Sequence, residues 1–281
     1  MKKTIISFLG AFSLLICTLA FQATAAEVPV SESLKYDVYA GGFRVMQTKM
    51  DLSLDRTSYD ISLSTRTQSF IGKLFPWSGS YSTIGHIDAK GNPVPTIHKS
   101  ESIWRGTKSL KTMQYGPKGN LLKLTSTSGG KTTEKTDTPG FLSDNAVDLL
   151  TALAMVMKNT EKTGKCQASY PIFDGKRRFD LTFTDAGNDT LKKTEYSAFS
   201  GEALRCTIKV VPVRGFRKKD LNRGWLAVQN HTEERKKPPT LWLAKLPNGH
   251  VAAVRMEIAS TYGTVVAHMM NYPGKAEKPK K

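Results

Sequence analysis

Cysteine is scarce: there are three in 281 residues. One of them, Cys17, lies within an apolar N-terminal run, and no C-x-x-C pair exists, which disfavours a redox role. Histidine is scattered. None of His86, His98, His231, His250 and His268 lies within four residues of another, and the H-E-x-x-H helix face that zinc hydrolysis needs is missing. The nearest string to a G-x-S-x-G nucleophile turn, Trp77-Ser78-Gly79-Ser80-Tyr81, lacks the pattern. There is no Walker A loop, G-x-G-x-x-G or EF-hand loop. No cofactor, metal site or catalytic residue is therefore expected, although a hydrolase site assembled from distant residues stays open. Acidic side chains are also in short supply, 24 against 41 lysines and arginines.

The first segment is an address rather than structure. Met1-Lys2-Lys3 precedes an apolar run from Ile5 to Phe21, and Ala23-Thr24-Ala25-Ala26 supplies an A-x-A end. This is the signal-peptide pattern, with cleavage expected after Ala25. The run is broken by Gly10, Ser13 and Thr18 and is short for a span of about twenty residues. Ile16 before Cys17 is too large for lipoprotein processing, so no lipid anchor is expected. The expected location is the periplasm. Residues 1–25 hold two lysines and no acid, which leaves 39 basic and 24 acidic residues, a formal charge of +15. Such a charge attracts polyanions. After export these are lipid head groups and anionic envelope polymers, not nucleic acid. Cys166 and Cys206 remain, and in an oxidising compartment an isolated pair most often forms a disulfide.

Period-two alternation dominates the rest. Met50, Leu52 and Leu54 mark one face, and Tyr59, Ile61 and Leu63 repeat it after a turn. Similar runs recur from Tyr81 to Thr125, then at Phe179–Phe183, Leu204–Val213, Leu241–Ala244, Val251–Ile258 and Thr264–Met269. Half-buried antiparallel strands give this pattern. Asp174-Gly175 and Asn248-Gly249 are two-residue hairpin signals, and Gly116–Asn120 is a longer turn. One helix is expected, capped by Ser143, with Asp144 and Asp148 in its first turns, running to about Lys158. Val147, Leu150, Leu153, Ala154 and Met157 form its stripe, widened by Leu149, Ala152 and Val156, so it should be buried on more than one side. Residues 126–140 and 214–239 are expected as polar loops, and 273–281 as a disordered Lys/Pro-rich tail. The fold class is thus mainly β, a strongly curved antiparallel sheet around one buried apolar helix. It forms a single domain over 26–272 with a weak division near 142.

Two groups are candidate binding features. Trp77, Trp104, Trp242 and Phe43 can line an apolar pocket for acyl chains or rings. Arg217, Lys218, Lys219, Arg235, Lys236 and Lys237, with Arg214 and Arg223, can hold phosphate or carboxylate groups. Ordinary core packing and a solvated face are the plain alternatives.

Three strings carry a resemblance: Tyr36-Asp37-Val38-Tyr39-Ala40-Gly41-Gly42-Phe43, the run from Ser143 to Leu153, and Tyr170–Leu181 with its Asp174-Gly175-Lys176-Arg177-Arg178 core. In this order they resemble the uncharacterised envelope family numbered 3108 among the domains of unknown function, over most of residues 33–270. The resemblance implies a Gram-negative periplasmic protein without a known enzymatic activity, an open or spiral barrel-like sheet, and a tie to envelope integrity. It supplies no catalytic residue. The expected function is binding of a lipid, lipopeptide or anionic envelope polymer. Its rivals are an adaptor that engages a partner protein through sheet edges, and a cryptic wall or lipid hydrolase.

Overall fold

The computed structural model describes residues 30–222, 224–260 and 263–271. The expected export signal, Arg223 and the 273–281 tail lie outside the described residues. Eight strands come first: β1 (Val30–Ala40), β2 (Phe43–Leu54), β3 (Ser58–Thr67), β4 (Trp77–Ile87), β5 (Pro93–Trp104), β6 (Thr107–Tyr115), β7 (Leu121–Ser128) and β8 (Lys131–Lys135). Six more follow: β9 (Ala168–Phe173), β10 (Arg178–Leu191), β11 (Gly201–Arg214), β12 (Thr240–Lys245), β13 (Val251–Ser260) and β14 (Gly263–Asn271). All fourteen form one open antiparallel sheet, ordered β8 to β1, then β14 to β9. From β1 in mid-sheet the strands wind outward to the β8 edge. The chain then crosses to the opposite edge at β9 and returns until β14 pairs with β1. Strands from both sides of residue 142 therefore share one sheet.

Of the alternating residues read from the sequence, Met50, Leu52, Tyr59 and Ile61 are buried in the main core, and Leu54 and Leu63 pack against it half-buried. The chain turns at both glycine signals, with Gly175 at φ +85° and Gly249 at φ +92°, but neither dipeptide is itself a two-residue loop. The Asp174 N–H bonds Arg177 O across Gly175-Lys176, and the Leu246 N–H bonds His250 O across 247–249. Both glycines adopt a left-handed conformation that costs other residues free energy. Residues 126–140 are not a loop throughout: β7 and β8 pair across Gly129-Gly130. Here Lys131–Lys135 alternates little, and the pairing is set by the glycine turn.

Helices depart further from expectation. There are five helical segments among the described residues: α1 (Ser69–Leu74), α2 (Gly140–Ser143), α3 (Leu149–Thr163), α4 (Lys218–Leu221) and α5 (Gly224–Glu234). Ser143 ends α2 and does not cap α3. Instead Val147 is drawn into a parallel bridge with Ile172: its N–H donates to Pro171 O and its carbonyl accepts from Phe173 N–H. A residue held in that bridge is unavailable to a helix, so α3 starts after it. Asp148 is the cap, accepting the Leu150 and Thr151 amides at 3.0 and 3.1 Å. Gly164, at φ +69°, closes the other end. Nor is α3 apolar all round, since Leu149 is 53% exposed and Thr151 and Thr160 are among its buried residues. The segment expected as a basic loop holds α4 and α5. Gln229 fastens α5 to β11 by bonding both the N–H and the carbonyl of Val210, at 2.6 and 3.0 Å.

Cys166 and Cys206 form a disulfide. It ties the chain leaving α3 to β11.

Candidate functional site

A buried polar network anchors the start of α3. Thr83 of β4 and Thr151 of α3 each donate to Asp148, at 2.7 and 2.6 Å. His98 of β5 brings Nδ1 within 3.2 Å of the same carboxylate and 2.8 Å of the Thr83 hydroxyl. Tyr59 of β3 joins through Thr151 at 2.8 Å. Gly85 makes room for the Tyr59 ring, which a Cβ there would strike. Burial pushes the Asp148 carboxyl up, but the His98 ring and the Thr151 and Thr83 hydroxyls outweigh it, so its pKa lies below the ordinary value. Hydroxyl, imidazole and carboxylate here suggest a hydrolytic row, yet the geometry is that of a brace. Thr83 is 0% and His98 7% exposed, and the Thr83 hydroxyl donates straight to the carboxylate. A nucleophile needs access to substrate and a base to take its proton. Sequence reading assigned Asp148 to the helix start but missed His98. The partner lies 50 positions away, and no spacing signal joins them.

The Asp174–Arg178 string closes the gap between the sheet's two flanks. Asp174 accepts from the Lys176 and Arg177 amides at 2.9 and 2.7 Å, and from the Arg177 guanidinium. Lys111 of β6 donates to the Asp174 carbonyl. Burial holds the Lys111 ammonium below its usual pKa, against the pull of Asp174. Arg178 reaches back to the carbonyls of Leu142 and Asp144 at 3.4 and 2.7 Å. Under this clasp lies a small second core of Met113, Tyr115, Leu124, Ala146 and Phe173. In the Tyr36–Phe43 string, Asp37 is buried and held by Arg44 and Gln47 at 3.1 and 3.2 Å.

Exposed apolar side chains gather elsewhere. In an antiparallel ladder, alternate connections fall at alternate ends. The turns β1–β2, β5–β6, β7–β8 and β9–β10 therefore leave one end, together with the longer connections β3–β4 and β11–β12. Phe43 opens β2 there and is 62% exposed. It meets Phe70 of α1 edge-to-face at 5.8 Å. Leu74 and Phe75 follow on the β3–β4 connection, at 60% and 48% exposure. Trp104 ends β5 opposite Trp77, with the Arg105 guanidinium 5.6 Å from its ring centre. Lys73 and Lys108 add charge beside them, the latter paired with Glu101 at 2.9 Å.

The predicted apolar set therefore divides. Phe43 and Trp104 are exposed, Trp77 is half-buried beside them, and Trp242 stands apart. Trp242 is 7% exposed, donates to Asp189 at 2.8 Å and lies under Arg255 at 4.8 Å. It is a core residue, because β12 is covered on both faces. The basic set belongs to the β11–β12 connection, at the same end of the ladder as the aromatic tips. Arg217 is committed to Asp220 at 3.0 Å, whereas Lys218, Lys219, Arg235, Lys236 and Lys237 are exposed. Sequence reading found Phe43 and Trp104 but not Leu74, which follows the short α1 turn. No group of three or more His, Cys, Asp or Glu side chains is placed to hold a metal among the described residues.

A family model described as "Protein of unknown function (DUF3108)" matches residues 35–270. Among solved structures, the chain is similar to a beta-barrel-like protein of domain of unknown function DUF1849 from Brucella abortus. The two share 11% identity and a TM-score of 0.46, over 86% of this chain and 97% of that one. No curated protein matches the chain.

Proposed function

We propose, for a chain that belongs to the DUF3108 family, a non-enzymatic role outside the cytoplasm: it binds anionic lipid at a membrane surface and so supports the cell envelope. One observation carries this reading. The aromatic and aliphatic tips Phe43, Phe70, Leu74, Phe75 and Trp104 share an end of the ladder with Arg105, Lys73 and the exposed lysines of the β11–β12 connection. Apolar side chains on turns gain about 1.5–3 kcal/mol each when fully taken out of water. A lysine or arginine near an anionic leaflet adds about 1 kcal/mol. Tryptophan at such a boundary keeps its ring in the apolar layer and its N–H in the wet one.

The sheet edges offer less to a partner protein. All five residues of β8 are exposed, two of them lysines, which is how natural edges resist strand addition. The β9 edge already holds Val147.

Co-sedimentation with vesicles tests the proposal. Vesicles of phosphatidylglycerol and phosphatidylethanolamine should retain the protein at low salt, and pure phosphatidylcholine should not. The double variant F43S/W104S should lose most of the binding, and so should Lys218→Ala with Lys219→Ala, Lys236→Ala and Lys237→Ala. Unchanged binding in both variants would sink the idea.

A further inference from the structure

Strands β3 and β4 lie within the sheet, so their backbone groups are engaged on both sides. One face of the pair supplies the buried Tyr59, Ile61, Thr65 and Thr83. On the opposite face stand short hydroxyl side chains, paired row by row: Ser64 with Ser80 and Ser62 with Ser82, with Arg66 beside Ser78 at one end and Asp60 beside Ile84 at the other. The flanking strands put longer side chains in the same rows. Gln47, Lys49 and Asp51 rise from β2, and Ile103, Glu101 and Lys99 from β5. Two low rows between two tall ones make a trough.

Two concavities mark it. A groove of about 430 Å³ spans the rows of Arg66 and Ser64, and a second of about 320 Å³ lies at Asp60 and Ile84. Both belong to the same face of the same two strands. At about 3.3 Å per residue, the floor from Ser58 to Arg66 runs for about 26 Å.

We propose that this trough binds an extended anionic glycan, at a site separate from the aromatic tips. An acyl chain would bury the serine hydroxyls without partners, at a cost of about 1–3 kcal/mol each. A peptide added as a strand needs free backbone groups, which β3 and β4 lack. A sugar chain offers hydroxyls that donate and accept along the serine rows from Ser78 to Ser82. Charge favours acidic sugars at the Arg66 end: the larger groove is lined by Lys35, Lys49 and Arg66 against Glu101, with Lys49 paired to Asp51 at 2.8 Å and Asp60 in the smaller groove.

Calorimetric titration with an oligogalacturonate long enough to span the trough tests this, with a neutral dextran oligomer of matching length as control. The acidic oligomer should bind and the dextran should bind at least about tenfold more weakly. Ser80→Trp, which fills the floor, should abolish binding. Arg66→Ala, at an exposed position, should weaken it about tenfold and stands as the test if the tryptophan variant does not fold. Binding of anionic vesicles should be unchanged in both, which keeps failure here distinct from failure at the aromatic tips. Absence of binding, equal binding of dextran, or affinity indifferent to both substitutions would overturn the proposal. An acidic peptide that binds in place of the oligogalacturonate would do the same.

Discussion

Strands β12 and β8 are built on opposite terms. In β12 the residues Leu241, Trp242, Leu243 and Ala244 are all buried, whereas in β8 every residue from Lys131 to Lys135 is exposed. The first is covered on both faces near the disulfide, and the second is an outer strand with no core of its own. This difference runs through the molecule. Both flanks and α3 supply the main core, while the N-terminal flank also keeps long apolar side chains in water at its turns. Stability and binding can therefore be altered separately.

The largest effect is expected where the flanks meet at the head of α3. Asp148→Ala removes the helix cap and strands His98, Thr83 and Thr151 in the interior, so urea denaturation should show a loss of about 3–5 kcal/mol. The same carboxylate sets an acid limb. Its pKa is depressed in the folded state, so its contribution is complete above the unfolded value of about 3.9 and is lost as pH falls through the folded value. Asp148→Asn should flatten that limb. A wild-type limb of equal slope would break the assignment.

Next comes the disulfide. Replacing Cys166 and Cys206 by serine opens a loop with a sequence separation of 40. The chain-entropy model gives a loss of about 4 kcal/mol. The vesicle binding of the folded fraction should persist, which sharpens the separation of roles. A smaller loss is expected at the clasp. Arg178→Ala removes the donor to the Leu142 and Asp144 carbonyls, for about 1.5–3 kcal/mol, and hydrogen exchange should quicken across 140–148 more than in β12. The smallest effect belongs to the tips. Phe43→Ser and Trp104→Ser should change the unfolding free energy by no more than about 0.5 kcal/mol each. A loss of several kcal/mol there would mean that these side chains serve packing, and the contrast would fail.

Much of this was legible in the residues. Met50, Leu52, Tyr59 and Ile61 announce a strand face by alternation, and Asn248-Gly249 announces its turn, because both signals are local. The start of α3 was not legible. From Ser143 onward the string reads as a capped helix, but β9 captures Val147 and moves the cap to Asp148. The Asp174–Arg178 run was visible as a string without a job, since its partners Lys111 and Leu142 are distant in sequence. Phe43 and Trp242 looked alike as aromatic residues that could line one apolar pocket. The first stands at a turn in water and the second beneath Arg255 in a doubly covered strand.

By itself, the sequence determined the β class, the positions of the hairpin turns and the pairing of the cysteines, because these follow from side-chain alternation, glycine's freedom at positive φ and the count of remaining thiols. Only the tertiary structure decided which aromatic residues face water, which histidine meets Asp148, and that short serines fall between taller neighbours on β3 and β4. Those outcomes depend on strand order and register, which bring together residues that no local pattern relates.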